Sequence, residues 1–529
     1  MTEMTPAPVN IPVDAPGAMR AARNSLASLT RGVITVPLGL VVVALIKAGP
    51  GLGVLGLWGA LSLLTSPMPP FTFGLHSSLI RQVACRAGDL AAQARVIGAG
   101  LRLYLGLDAG LAALYVVARG ALIEHLAQWA GLAPAQVAVA LDVSVSSYLL
   151  QLAGTPFVCF LLGREENPQA QACFTAGQVA LAAGVFAAVK LRAGADLVLA
   201  NTALANTALA NRVWAATLFG TVVQVALQFA YAYRRAGFAP LTADPAGLYG
   251  TLMRESLSLT VLELAKLTFY HLDRWLVLIW LGGRYAGFYE LGARLGLVFR
   301  ALLNTLCASL MASAAVASTS AIATAKLRRL TYYSLRYLLA LAVPISLFVV
   351  LEARRILELW VGATGPEPVT ALAYLVPSYL LNAVAWAVLL PLVGRGRIRV
   401  AVRWGLISVG LNVLLDVAAL ALSGTFEAVL AASFAGSLLT ALGLIAGRVR
   451  EGLLDAPAVM RVIARLLIAA AIGVCAGALV LPAGTGRTAA LGAFALHGAI
   501  AVALYLFLLV VLGEVDDQDR HFLRKFGGV

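Results

Sequence analysis

The sequence predicts an all-α polytopic membrane protein, and three observations carry that expectation. Of the 529 residues, 61% are hydrophobic and only 12% charged, whereas a soluble domain carries roughly 25% charged residues. Apolar runs of the roughly 20 residues that a membrane-spanning helix needs fill nearly the whole chain. The basic residues gather in every second loop between those runs, the asymmetry that orients a polytopic protein. Together these exclude a water-soluble fold.

Residues 1 to 20 are rich in proline and polar groups and lack the apolar core and small-residue cleavage site of a signal peptide, so they read as a cytoplasmic tail. About fourteen spans follow, starting near residues 26, 52, 96, 137, 168, 213, 255, 286, 331, 370, 400, 427, 461 and 488. Alternating the loops from a cytoplasmic start places Arg20, Arg23 and Arg31, then Arg81, Arg86 and Arg95, then Arg234, Arg235 and Arg254 inside. Later inside loops are richer, with Lys326, Arg328, Arg329 and Arg336, then Arg395, Arg397, Arg399 and Arg403, then Arg448, Arg450, Arg461 and Arg465. The outside loops hold few: Lys47, Arg119, Lys190, Arg192, Arg284, Arg354, Arg355 and Arg487. Both ends are therefore expected in the cytoplasm. Trp58, Trp275, Trp280 and Trp360 fall near outer span ends, where an amphipathic ring normally sits at the headgroup level.

The spans divide into two similar halves. Gly56-Leu57-Trp58 after the first span is matched by Gly287-Phe288-Tyr289 after the seventh. Val213, Ala215, Ala216, Thr217 and Gly220 in the sixth are matched by Val429, Ala431, Ala432, Ser433 and Gly436 in the twelfth. A tandem duplication, Asn201 to Ala205 repeated as Asn206 to Ala210, accounts for much of the difference in spacing. The expected organisation is a tail at 1–20, an N-lobe of six helices at 21–235, a C-lobe of six at 236–450, two accessory helices at 451–512 and a cytoplasmic tail at 513–529. Duplicated bundles of one orientation are a transporter architecture, with the substrate site between the halves.

The net charge of +14 comes from short loop clusters and forms no continuous basic face, so no nucleic-acid partner is expected. Five scattered cysteines suggest neither a disulfide framework nor a metal knuckle. The acidic run Glu514 to Asp519 is followed by Arg520, Arg524 and Lys525 and reads as a solvated tail. Pro67, Pro69 and Pro70 interrupt the second span, and His76 beyond them reads as a core histidine.

Charged residues inside spans are expensive and mark functional candidates. On a helical wheel Glu263, Lys266, Tyr270, Asp273 and Arg274 of the seventh span fall in an arc of roughly 100°. Glu290, Arg294, Arg300 and Asn304 form a similar stripe on the eighth, with Glu290 and Arg294 spaced for an i,i+4 ion pair. A turn at Gly282-Gly283 brings Asp273 and Arg274 to the depth of Glu290 and Arg294. The cluster is either a self-neutralising network that locks two helices or a site where arginines remain available to a phosphate, whose geometry suits the guanidinium fork. Arg102, inside the third span, either adds to a central cavity or snorkels to the inner surface. His271 lies just off the seventh-span stripe.

Several segments resemble a known family. Gly53-Val54-Leu55-Gly56-Leu57-Trp58 with Phe73-Gly74-Leu75 and Ile80-Arg81-Gln82-Val83-Ala84, then Leu272-Asp273-Arg274-Trp275 with Gly287-Phe288-Tyr289-Glu290-Leu291-Gly292-Ala293-Arg294, then Asn412 to Asp416 with Gly424-Thr425-Phe426-Glu427, resemble the polysaccharide-biosynthesis flippases of the multidrug/oligosaccharidyl-lipid/polysaccharide exporter superfamily. The resemblance implies two six-helix lobes around a cationic cavity and two extra helices in a bacterial inner membrane. It also implies an undecaprenyl-diphosphate-linked oligosaccharide as substrate, membrane lipids and polysaccharide polymerase machinery as partners, no cofactor or metal, and no enzymatic activity. Arg102, Arg274, Arg294 and Arg300 are the substrate-binding candidates; Glu263, Lys266, Asp273 and Glu290 are candidates for ion coupling or a structural ion pair.

Two readings compete. A cation-coupled drug antiporter of the same superfamily uses intramembrane acids such as Asp273, Glu290, Glu263 or Asp416. A lipid II flippase differs only in the saccharide carried. A membrane polymerase or ligase needs catalytic residues in large outer loops, and the outer loops here are short and poor in histidine and acidic pairs.

Overall fold

A computed structural model of the chain describes residues 15–62, 64–65, 72, 74–195, 202–236, 247–317, 323–362, 365–394, 398–479 and 487–513. These residues are helical throughout, with no strand among them. The first half contains α1 (Ala15–Ala48), α2 (Leu52–Leu61), α3 (Leu75–Ala84), α4 (Leu90–Ala130), α5 (Pro134–Gly163), α6 (Asn167–Ala195) and α7 (Thr202–Ala236). The second contains α8 (Leu248–Leu281), α9 (Gly283–Ala317), α10 (Ala323–Leu351), the short α11 (Ala353–Val361), α12 (Pro366–Gly394), α13 (Ile398–Leu422) and α14 (Phe426–Arg450), followed by α15 (Ala456–Leu479) and α16 (Arg487–Val511).

The protein is an all-helical, multi-pass membrane protein: eleven helices among the described residues are long and apolar enough to cross a bilayer. The other three expected spans are not among these eleven. The second is broken into α2 and α3, with the proline cluster at 67–70, outside the described residues, between them. The seventh and eighth, α8 and α9, are 34 and 35 residues long, and each includes residues whose side chains lie outside the described ones. Helix ends follow local chemistry: Asp89 caps α4 by accepting from the Ala92 amide at 2.8 Å, and Gly282, at φ 90°, makes the α8–α9 turn.

The two halves pack alike. In the first, α1 packs on α6, α6 on α7, α5 on α7 and α4 on α5; in the second, α8 packs on α13, α13 on α14, α12 on α14 and α10 on α12. The repeat glycines explain part of this. Gly220 of α7 lies against the Gly177 carbonyl and Leu181 of α6, and Gly436 of α14 lies against Asn412 of α13. In lipid, where apolar side chains gain nothing by leaving their surroundings, such small residues let helices approach and gain dispersion contact. Helices α15 and α16 pair with each other and dock on α10.

We use "outer" for the arginine-poor end of the bundle. There the two matched tripeptides meet: a Cβ added to Gly56 would lie 2.7 Å from the Gly287 amide nitrogen, so α2 and α9 cross backbone to backbone between the lobes. Lys47 Nζ donates to the Val361 carbonyl at 2.8 Å and Trp360 Nε1 to the Leu40 carbonyl at 3.0 Å, tying α1 to α11. At the inner end Ser78 Oγ and Gln82 Nε2 of α3 donate to Glu255 of α8 at 2.9 and 3.0 Å, and Arg81 pairs with the same carboxylate at 3.3 Å. The lobes are joined at both ends.

Candidate functional site

Between these two closures lies a cavity of about 340 Å³. Its wall comes from both lobes: Arg31 on α1, Trp58 and Ser62 at α2, Gln178 on α6, His271 and Arg274 on α8, and Arg294 and Arg300 on α9. Four guanidinium groups and no carboxylate line it among the described residues. Four cations in a small membrane-buried space repel one another, and a carboxylate directly behind the wall offsets two of them.

That carboxylate is Glu290, 1% exposed. It bonds Arg294 Nε one turn along α9 and faces Arg274 Nε at 3.4 Å. Room for it is made by Gly59, where a Cβ would lie 2.7 Å from Glu290 Oε2. Arg274, almost fully buried, also donates to Ser62 Oγ at 3.1 Å, and Ser62 donates in turn to the Gly59 carbonyl at 2.6 Å. The Arg294 guanidinium lies over the Trp58 ring at 4.6 Å, a cation–π contact that holds a planar fork in one orientation. Arg300 lies over Tyr379 at 5.9 Å. On the opposite wall Arg31 donates to Gln171 Oε1 at 2.9 Å and stacks over Phe174 at 4.6 Å. The cavity thus presents several oriented donors with a net positive charge, the chemistry that receives an anion with several oxygens.

A second group lies one residue away along both charged helices. Tyr289 Oη donates to Asp273 Oδ2 at 3.3 Å, and Ser433 Oγ lies 3.2 Å from Asp273 Oδ2 and 3.1 Å from Asp416 Oδ1. Asp416 is 0% exposed, and its Oδ2 has no hydrogen-bond partner among the described residues. One turn earlier on α13, Asn412 Oδ1 is likewise without such a partner. Two carboxylates sharing hydroxyl donors in the interior are stable together only with a proton between them or a cation beside them. Asp273, Asn412, Asp416 and Ser433 supply hard oxygen donors, suited to a small alkali or alkaline-earth ion and unsuited to a soft metal. No cluster of three histidine, cysteine or acidic side chains occurs among the described residues.

The expected site residues therefore separate. Arg274, Arg294 and Arg300 come together in the cavity wall, with Glu290 behind them. Asp273 does not join that cluster: it is the neighbour of Arg274 on a helix, so it points some 100° away, towards Asp416. Arg102 does not line the cavity; it lies over Tyr249 at the inner end of α8, at 5.9 Å. The side chains of Glu263, Lys266, Tyr270 and Asn304 fall outside the described residues. His76 is half-buried, its Nδ1 3.2 Å from the buried Cys159 Sγ.

Two wall residues differ from the expectation. Trp58, expected at the headgroup level, is buried under Arg294. Arg31, counted among the inner-loop cations, lines the cavity; its place five positions into the first apolar run was the available signal.

No family model matches the sequence, and no curated protein sequence does. Solved structures match in fold. A structure of the lipid II flippase MurJ in an inward closed conformation superposes with a TM-score of 0.71 at 10% identity, covering 93% of this chain and 99% of that one. An inward-facing multidrug resistance MATE family transporter of the MOP superfamily gives a TM-score of 0.59 at 15% identity over 81% of this chain and 98% of that one. A MATE structure in a bent conformation gives 0.54 at 14% identity over 82% and 96%. At these identities the likeness establishes the fold that MurJ and MATE transporters share.

Proposed function

We propose that the chain is a flippase that moves an undecaprenyl-diphosphate-linked oligosaccharide from the cytoplasmic to the periplasmic leaflet of a bacterial inner membrane by alternating access. The observation that carries the reading is the cavity wall: four arginines from both lobes, two of them held by Glu290 behind the wall. A diphosphate is the part of such a lipid that most resists entering the bilayer, and guanidinium forks replace its lost hydration with charge-assisted hydrogen bonds.

In this reading Arg31, Arg274, Arg294 and Arg300 hold the diphosphate, and Glu290 is a positioning residue that fixes two of them. Thr35, Ser62, Thr65, Gln178 and His271 offer further polar groups in the wall. The pair Asp273–Asp416 takes up a proton or small cation as the lobes exchange conformation; Glu263 and Lys266 complete the charged stripe of α8. The lobes comprise residues 21–235 and 236–450, with 451–512 accessory, tails at 1–20 and 513–529, all fourteen spans in place and both termini cytoplasmic. The glycan chain is completed outside by polymerase machinery.

A drug antiporter is disfavoured by the cavity wall, since a cationic drug meets four like charges there. The extent of the fold points the same way: MATE structures cover 81–82% of this chain and the MurJ structure 93%. A lipid II flippase remains the neighbouring alternative, because MurJ has the same fold and the diphosphate chemistry is common to both substrates.

The deciding experiment is glycan profiling of a deletion strain. Accumulation of lipid-linked repeat units in the cytoplasmic leaflet with loss of surface polysaccharide supports the proposal. Arrest of peptidoglycan synthesis moves the assignment to lipid II, and normal glycans with altered drug sensitivity overturn it in favour of the antiporter.

A further inference from the structure

The C-terminal pair α15–α16 carries a buried histidine that the transport cavity does not use. His497 is 0% exposed. Its Nε2 lies 2.9 Å from the Val474 carbonyl of α15, and its Nδ1 lies 3.3 Å from Glu352 Oε1, at the junction of α10 and α11. A carbonyl oxygen only accepts, so Nε2 carries a hydrogen. A neutral imidazole has no second one, and Nδ1 then turns a lone pair towards a carboxylate. The contact is favourable only when one further proton resides on the histidine or on Glu352.

We propose that His497 and Glu352 form a buried proton-binding site through which α15–α16 controls the outer closure of the two lobes. The ring is fixed on every side. A Cβ on Gly477 would collide with it, Phe348 lies against it with centroids 5.1 Å apart, and Tyr505 Oη bonds the Ala340 carbonyl at 2.6 Å, holding α16 to α10. Loss of the proton cannot be absorbed by turning the ring away, so Glu352 moves.

Glu352 stands at the first position before α11, and its carbonyl accepts from the Ile356 amide at 2.9 Å. At the far end of α11, Trp360 and Val361 make the two hydrogen bonds to α1. Displacement at one end of this nine-residue helix is carried to the latch at the other, a rigid element between two sites. Of the other charged groups, Arg355 of α11 pairs with the second oxygen of Glu352 at 3.6 Å, and Arg354 and Glu358 share the helix. Lys47 is the α1 partner. Between Arg465 and Leu479, α15 offers only Cys475, which is exposed.

The test uses the full chain in nanodiscs with spin labels at Val117 and Leu422, exposed residues in the outer parts of α4 and α13, in a cysteine-free background. Distances are measured from about pH 5 to pH 9, a range that spans histidine titration. The expected result is a short separation at low pH and a population longer by on the order of 5 Å at high pH. His497→Gln, which keeps a donor to Val474 but takes up no proton, and Glu352→Gln flatten the profile, whereas His125→Gln, at an exposed histidine of α4 outside both sites, keeps it. A flat wild-type profile, a wild-type profile in His497→Gln or Glu352→Gln, or loss of the profile in His125→Gln overturns the proposal.

Discussion

Replacing Arg294 by alanine separates the two readings of the charged cluster. The substitution leaves Glu290 with Arg274 at 3.4 Å, so the buried carboxylate keeps a cation and the fold is retained. What is lost is one guanidinium at the cavity wall, along with its stacking on Trp58. A hydrogen bond to a charged group contributes about 1.5–3 kcal/mol, which corresponds to a loss of roughly 10- to 150-fold in affinity for a diphosphate. Arg294→Lys keeps the charge but not the fork or the stacking, and falls between.

The assay is binding of undecaprenyl diphosphate to the purified protein, with Trp58 as an intrinsic fluorescent reporter beneath the replaced group. Complementation of the deletion strain at matched membrane abundance is the second readout. Wild-type affinity and full complementation by Arg294→Ala refute the assignment and leave the cluster a helix lock. Reduced membrane abundance with unchanged affinity per folded molecule has the same meaning.

Three further outcomes are expected. Gly56→Ala places a methyl group 2.7 Å from the Gly287 nitrogen, and overpacking of this kind costs about 1–3 kcal/mol; the Val117–Leu422 spin-label separation lengthens while total folded protein is unchanged. Glu255→Ala removes the acceptor of Ser78, Gln82 and Arg81, so a cysteine at Gln178 reacts faster with a polar thiol reagent applied from the inner side. Asp416→Asn removes one of two facing carboxylates while keeping an oxygen near Ser433; transport loses its dependence on proton or cation gradients, and a variant that keeps this dependence removes the pair from coupling.

Much of the fold was legible in the chain because lipid imposes one rule on every backbone group. With no water to satisfy it, each apolar run must close its hydrogen bonds within a helix, so composition and run length alone specify an all-α membrane protein. The repeat was legible for a similar reason: glycines at matched positions permit the same close crossing in both halves, as Gly220 and Gly436 do. The Arg294–Glu290 pair follows from the 3.6-residue period, which sets both groups on one face.

Partner choice between helices was not legible, and the site depends on it. A helical wheel placed Asp273 with Arg274 on one broad stripe, but their side chains diverge, and only the positions of α9, α13 and α14 send one to Glu290 and the other to Asp416. Arg102 shares its apolar setting with the cavity arginines, yet the crossing of α4 and α8 puts it over Tyr249. Trp58 and Arg31 met in the wall for the same reason: sequence records which face a residue occupies, whereas the packing of helices far apart in the chain decides what that face meets.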